Sequence, residues 1–366
     1  MNIQINRKVL ADALTEVAPF AGKSKMLAIY NNIKFVTKGN RIRLQTTDLE
    51  NTIRKYVTAE SIDEDREFLV DCRAFTDFVK SLKDETITLK IESNTITIIH
   101  AKGNADLPIT PTDGFTEPIT EDDSVNISVP SDMLLEAIDN GKRFVSTDEI
   151  KAQMKGIHVK FENGNFVYEA TDTRKMIRDE MSLSDAPQDV DWIISIASGS
   201  VIANSAKSGT MVDVKIGDKT VCYKFGDTML FSQKIQGNFP NCARVIPHDN
   251  NIEVSADKVE LVDAIKRTML LCDDNTKLIK LTISRMDIIV EANNMEVGRK
   301  ASESVIVESS GELVIGFAAN LLLNVINCVG SNNVVMKFSN AGRPMLIVDE
   351  NKPNKNIILM PMNLQA

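Results

Sequence analysis

The chain has 366 residues, 43% hydrophobic and 5% aromatic, with 42 basic against 51 acidic side chains and a net charge of −9. That length exceeds one hydrophobic core and predicts two or three domains, while the acidic balance excludes nonspecific adhesion of the whole surface to nucleic acid or anionic membrane and still permits a local basic face. Cys72, Cys222, Cys242, Cys272 and Cys328 are odd in number, widely spaced and never Cys-x-x-Cys, so neither a disulfide framework nor a zinc site is suggested and buried reduced thiols are expected.

In chain order, Leu10, Ala13, Leu14 and Val17 place one apolar stripe on a helix. Ile33 and Phe35, a turn at Lys38-Gly39-Asn40, then Ile42 and Leu44 alternate at period two and predict a hairpin with one buried face. A polar turn, Thr46-Thr47-Asp48-Leu49-Glu50, follows. A second helix is predicted near Arg73 to Leu82, and a second hairpin from Ile87, Leu89 and Ile91 against Ile96 and Ile98. Pro108 to Asp123, rich in Pro, Thr and acids, reads as a linker.

The same order then recurs. A helix with Leu134-Leu135-Glu136-Ala137-Ile138 is expected to be capped by Ser131, and a hairpin pairs Ile157, Val159 and Phe161 with Phe166, Tyr168 and Ala170 across Asn163-Gly164, a step that favours positive φ. The turn Ala170-Thr171-Asp172-Thr173-Arg174, a helix near Ser198 to Lys207 and a hairpin of Val212, Val214 and Ile216 with Val221, Tyr223 and Phe225 complete this copy. After a linker near Pro247 to Asn251, Leu261-Val262-Asp263-Ala264-Ile265 begins a third copy, its helix expected to be capped by Ser255. Ile279, Leu281 and Ile283 alternate against Ile288 and Val290, Ala292-Asn293-Asn294-Met295-Glu296 is the turn, a helix is predicted near Ala318 to Cys328, and Val334, Met336 and Phe338 face Leu346 and Val348.

The helical signature repeats after 124 and then 127 residues and the polar turn after 124 and then 122. A period this long is too large for a solenoid repeat, so each copy is expected to be a domain with its own core. The predicted class is α+β: three tandem copies of a module with two helices on a mostly antiparallel sheet, bounded as 1–120, 121–249 and 250–366. Short linkers without Gly/Ser repeats predict domains in fixed relative orientation.

Catalytic and metal signatures are missing. Gly22-Lys23-Ser24 would end a phosphate-binding loop only with glycine at position 17, where Val17 stands. His100, His158 and His248 lie in different copies without ligand spacing, and Asp122-Asp123 and Asp273-Asp274 lack the glycine-bearing frame of a calcium loop. Asp48 and Asp172 are matched by Asn294 in the third copy, which cannot serve as an acid, so these turns are expected to hold strands together. No metal, no cofactor and no catalytic residue is expected. Met1 to Arg7 lacks the core of a signal peptide and no stretch nears the ~18 apolar residues of a membrane span, so a cytoplasmic location is expected.

The tripled module, the turn Glu169-Ala170-Thr171-Asp172-Thr173-Arg174, the segment Phe239-Pro240-Asn241-Cys242-Ala243-Arg244-Val245-Ile246-Pro247 and the ending Leu359-Met360-Pro361-Met362-Asn363-Leu364 together resemble the bacterial sliding clamp family, the beta subunit of DNA polymerase III. The resemblance runs end to end. It implies a DNA clamp fold forming half of a closed ring, a head-to-tail homodimer around duplex DNA without sequence preference, and a processivity factor that tethers the replicative polymerase alpha subunit, the clamp loader and other proteins carrying a clamp-binding motif, with no intrinsic catalysis. A closed loop holds DNA by topology, so it needs little affinity, and loose phosphate contacts permit sliding.

For individual residues the resemblance implies a partner-peptide pocket of Met154, Thr171, Thr173, Arg174, Met176, Pro240, Arg244, Val245, Met360, Pro361, Met362 and Leu364. It implies DNA-facing Lys23, Lys25, Arg73, Lys80, Lys142, Lys207 and Lys266. Ring closure would join Ala105, Asp106 and Leu107 of one subunit to the next near Leu270 and Leu271, with Glu296 and Glu303 as the acids at that boundary. The chain departs from the family where Arg174-Lys175 follows Thr173 in place of a His-Arg pair after Thr-Asp-Gly, and where Met362-Asn363-Leu364 and Gln365-Ala366 replace a Met-Arg-Leu end. Two rival readings remain at this point: a hydrolase, which would show nucleotide- or metal-dependent turnover, and a monomeric peptide-binding scaffold, separated from a clamp by its mass in solution.

Overall fold

A computed structural model describes residues 1–22, 27–83, 85–121, 124–183, 189–295 and 297–364. Among them the first copy comprises β1 (Asn2–Asn6), α1 (Arg7–Val17), β2 (Asn32–Lys38), β3 (Arg41–Thr47), β4 (Asn51–Thr58), β5 (Ser61–Ile62), β6 (Glu67–Asp71), α2 (Cys72–Ser81), β7 (Thr86–Glu92), β8 (Thr95–His100) and β9 (Gly103–Thr110). The second comprises β10 (Val125–Pro130), α3 (Ser131–Gly141), β11 (Gly156–Glu162), β12 (Asn165–Thr171), β13 (Lys175–Ser182), β14 (Val190–Ser195), α4 (Ile196–Ser205), β15 (Met211–Ile216), β16 (Thr220–Phe225) and β17 (Thr228–Gln233). The third comprises β18 (Ile252–Asp257), α5 (Lys258–Met269), β19 (Leu278–Ile283), β20 (Asp287–Asn294), β21 (Arg299–Ser309), β22 (Leu313–Ala318), α6 (Ala319–Ile326), β23 (Asn333–Phe338), β24 (Met345–Asp349) and β25 (Lys352–Leu359).

Each predicted helix and hairpin is present, and each copy carries more strands than alternation alone revealed. Helix starts follow the capping rule with different residues. Asn6 accepts the amides of Lys8 and Val9, Asp71 that of Ala74, and Asp257 that of Glu260. Ser255 is therefore not a cap; it lies within β18, where alternation keeps Val254 and Ala256 inward. The Ser131 hydroxyl instead donates to the Lys207 carbonyl and accepts the Thr210 amide, tying the first residue of α3 to the loop after α4.

Contacts divide the chain into two compact units, Met1–Leu135 with Ala197–Lys234, and Glu136–Ile196 with Ile235–Ala366. The first holds a 13-stranded sheet in the order β10-β15-β16-β17-β4-β3-β2-β6-β9-β8-β7-β1-β5. Leu10, Leu14 and Val17 of α1 are fully buried, as are Ile33 and Phe35, whose ring stacks on Phe68 and meets Phe75 edge-on. The second unit holds a 12-stranded sheet, β14-β11-β12-β13-β25-β24-β23-β18-β21-β20-β19-β22, with Leu261 and Ile265 of α5 and Leu322 of α6 in its core.

One joint is built twice. In the first unit β17 pairs antiparallel with β4, Ser232 opposite Asn51 through Thr228 opposite Lys55. In the second, β25 pairs with β13, Leu359 opposite Lys175 through Asn356 opposite Arg178. By position in the repeat, the remaining pair of this kind is β9 with β21. Within the chain β9 bonds along its length to β8 and on its other side only through Ile109 and Thr110 to β6; β21 bonds along its length to β20 and on its other side only at Val307 to Ser309, to β18. Among the described residues, Gly103–Leu107 and Arg299–Ile306 thus each present one open edge.

Candidate functional site

The turn between β12 and β13 is built by its own side chains. Thr171 Oγ1 donates to the Lys175 carbonyl at 2.8 Å and accepts the Thr173 amide at 3.1 Å, while Asp172 Oδ1 accepts the amides of Arg174 and Lys175 at 2.9 Å each. Thr173 is driven to φ +77°, which is costly for a β-branched residue. The first copy repeats this construction: Thr47 Oγ1 donates to the Asn51 carbonyl, Asp48 accepts the amides of Glu50 and Asn51, and Leu49 sits at φ +80°. Both aspartates are spent on turn amides and hold their strands together, the role expected from the asparagine at the matching position of the third copy.

Three further segments meet this turn in the second unit. A 3-10 turn at Cys242–Val245, started by Asn241 Oδ1 accepting the Arg244 amide, lays Cys242 against Met176, Leu346 and Ile358. Met154 closes the floor from the turn Ala152–Lys155. Beyond β25, the Met360 amide donates to the Arg174 carbonyl at 2.8 Å and extends the β13–β25 pairing by one residue. The result is an apolar cavity of about 280 Å³.

Of the predicted pocket residues, Met154, Thr171, Thr173, Arg174, Met176, Pro240, Val245 and Met360 line it. Met154 and Met176 are buried floor, while Thr173, Arg174, Pro240 and Val245 are exposed rim. Arg244 stands in the 3-10 turn outside the lining, and Pro361, Met362 and Leu364 line a neighbouring cleft with Gly316, Ala341 and Gly342. Lys175, Asn241, Cys242, Pro344 and Ile358 also line the cavity, unmarked by sequence reasoning. Ile358 could have been found from the apolar run Ile357-Ile358-Leu359, all three of which are buried. Lys175 could not: a lysine is expected in water, yet this one is 7% exposed, its ammonium on the Arg143 carbonyl, 3.6 Å from Asp172 and over the Phe144 ring.

A charged cluster lies behind the rim. His158 on β11 is held between Glu169 Oε2 at 3.0 Å and Asp191 Oδ2 at 3.1 Å, with Phe239 stacked on its ring at 4.7 Å. Burial opposes the imidazolium, but the hydrogen bonds to Asp191 and Glu169 outweigh it and raise the His158 pKa. Arg178 takes Glu169 Oε1 at 2.9 Å and also bonds Glu180. Burial pushes the Cys242 thiol up to about 12, so it stays protonated. All five cysteines are free. Among the described residues no three His, Cys, Asp or Glu side chains group as metal ligands, and no helix is long and apolar enough to cross a membrane.

Lys23 and Lys25 lie outside the described residues, as do Asp122, Asp123 and Glu296. Arg73 and Lys80 are exposed on α2, Lys142 follows α3, Lys207 follows α4 and Lys266 is exposed on α5. Three of these cations meet an acid on or beside their own helix: Arg73 with Asp77 at 3.8 Å, Lys142 with Asp139 at 2.7 Å and Lys266 with Asp263 at 3.8 Å. Ala105, Asp106 and Leu107 fall on the open edge of β9. Leu270 is 75% exposed just after α5, Leu271 is half-buried, and Glu303 on β21 is bidentate to Arg267 at 2.9 and 2.8 Å.

The comparisons agree with this architecture. Models of the N-terminal, central and C-terminal domains of the DNA polymerase III beta subunit match residues 1–117, 128–241 and 243–363. Beta sliding clamps of Caulobacter vibrioides and Pseudomonas aeruginosa are 27% and 26% identical, each alignment covering all of both chains. The crystal structure of the DNA polymerase III subunit beta from Pseudomonas aeruginosa superposes over the whole of both chains with a TM-score of 0.94 at 24% identity. With the family matched across nearly its whole length, the chain belongs to the DNA polymerase III beta subunit family, the sliding clamps that serve DNA replication as processivity factors.

Proposed function

We propose that two copies of the chain close head to tail into a ring that encircles duplex DNA, and that the cavity beside Thr173 captures short peptides of the replicative polymerase alpha subunit, the clamp loader and other partners. The joint built twice inside the chain carries this reading. β4 and β13 each receive a strand from another copy of the module, whereas β21 and β9 keep the equivalent edges open. Two chains meeting at both ends satisfy every such edge, and a heterologous contact that closes leaves none exposed. Leu107 on one side and Leu270 and Leu271 on the other supply apolar surface at that boundary. With Glu303 engaged by Arg267 of its own chain, ion pairing contributes less there than apolar contact.

On this reading the domains are 1–120, 121–249 and 250–366, the protein works in the cytoplasm without catalysing a reaction, and Arg73, Lys80, Lys142, Lys207 and Lys266, with Lys23 and Lys25, face the duplex. Cations partly neutralised by neighbouring acids suit a surface that must slide. The cavity suits peptide capture because methionine walls adapt to apolar side chains and the exposed Arg174 can bond carbonyl or amide oxygens.

The deciding experiment loads the protein on nicked circular DNA with a clamp loader and then cuts the circle once. Prompt release on cutting, from a species with the mass of two chains, is the expected result. Equal retention on linear and circular DNA would refute the ring.

A further inference from the structure

β22 ends the 12-stranded sheet, and the C-terminal tail returns to it. The Met362 amide donates to the Gly316 carbonyl at 2.8 Å, forming a single antiparallel bridge on the strand's outer side. Two residues earlier the Met360 amide holds the Arg174 carbonyl on the cavity rim, and Pro361 between them has no amide to give. The tail is thus pinned at the rim and at β22. Gly316 is buried, and a Cβ there would stand 2.8 Å from the Met362 carbonyl oxygen and 2.7 Å from Leu364 Cδ2. The first of these is main chain and cannot rotate away. The backbone of Gly316 lies outside the left-handed region, so glycine is required there by the closeness of the tail and not by its own torsions.

We infer that Gly316 is a positioning residue: it is the seat that lets the tail lie against β22, and the seated tail in turn holds Met360 on the cavity wall where a partner peptide, given the pocket proposed above, meets it. Gly316 itself touches no part of the cavity. An alanine at 316 lifts the Met362–Leu364 segment from the sheet edge while leaving β22 paired to β19 from Leu278 opposite Ala318 through Ile283 opposite Leu313. The rim then keeps one pin in place of two.

The test compares wild type, Gly316→Ala, a chain ending at Pro361, and that truncation carrying Gly316→Ala. Two readouts are taken: hydrogen exchange at the Met362 amide in the full-length chains, and affinity for a fluorescein-labelled peptide spanning the clamp-binding motif of the replicative polymerase alpha subunit. Gly316→Ala should speed Met362 exchange at least tenfold and weaken the peptide about fivefold, with an unchanged unfolding midpoint. Truncation should weaken the peptide similarly, and Gly316→Ala should add nothing in the truncated chain. Unchanged exchange would show that Gly316 is no seat, and faster exchange with unchanged affinity would show that the seat does not reach the rim. A further loss in the truncated background would assign the effect to the sheet and overturn the inference. If wild type ignores the peptide, the pocket reading fails by itself and the exchange arm still decides whether Gly316 seats the tail.

Discussion

His158 draws its partners from residues 169 and 191, far along the chain and on the neighbouring strands β12 and β14, so no ligand-type spacing announced them. Sequence could mark it only as an isolated histidine. In the fold it faces Glu169 and Asp191, with Arg178 bonded to the same Glu169, Lys160 and Glu162 further along the sheet, and Phe239 above. Its pKa is raised above the ordinary 6.5, so its stabilising contribution is complete below that value and fades as pH rises through the folded pKa. His158→Gln should therefore cost about 1–2 kcal/mol in mildly acidic solution and progressively less toward alkaline pH. Urea unfolding of both proteins across that range checks this, and a gap that widens with pH would contradict it. Thr173 makes the complementary case. Its turn was visible as a motif, but the positive φ was not, because sequence offers no reason for a β-branched residue to accept about 1–3 kcal/mol of backbone strain.

Hairpins whose apolar residues alternate cleanly were legible, and Asn163-Gly164 does supply two positive φ angles at its turn. Strands that carry their own charges were not. β13 runs Lys-Met-Ile-Arg-Asp-Glu-Met-Ser yet buries Lys175, Arg178 and Asp179: Lys175 meets Asp172 on its own face, Arg178 pairs with Glu169 on the opposite face, and burial raises the pKa of the Asp179 carboxyl. β9 includes Pro108, which read as the start of a linker; proline is tolerated there because the strand forms an edge. The same openness makes β9 sensitive to charge. Leu107→Asp, half-buried in the single chain, should leave the monomer folded and weaken self-association at least tenfold, as sedimentation would measure. An undiminished dimer would move the interface elsewhere.

A threefold repeat and an acidic composition were legible for the molecule as a whole, and they argued for an array of domains without nonspecific adhesion to nucleic acid; enclosure of the duplex came only with the family resemblance. Retention by enclosure differs from phosphate binding in its salt response, because counterion release makes ordinary affinity for duplex fall steeply with ionic strength. Raising salt several-fold after loading should therefore leave the half-life on closed circular DNA nearly constant; a half-life falling with the slope of a phosphate-bound protein would contradict enclosure. What repetition concealed is that the compact units do not coincide with the copies. Residues 197–234, from the second copy, complete the sheet of the first. Cutting the gene between copies would therefore strip β4 of its five-residue pairing with β17 and leave a bare template for fibrous stacking. Fragments meant to behave as tidy separate modules should be drawn along the seams of hydrogen bonding, not along the period of the sequence.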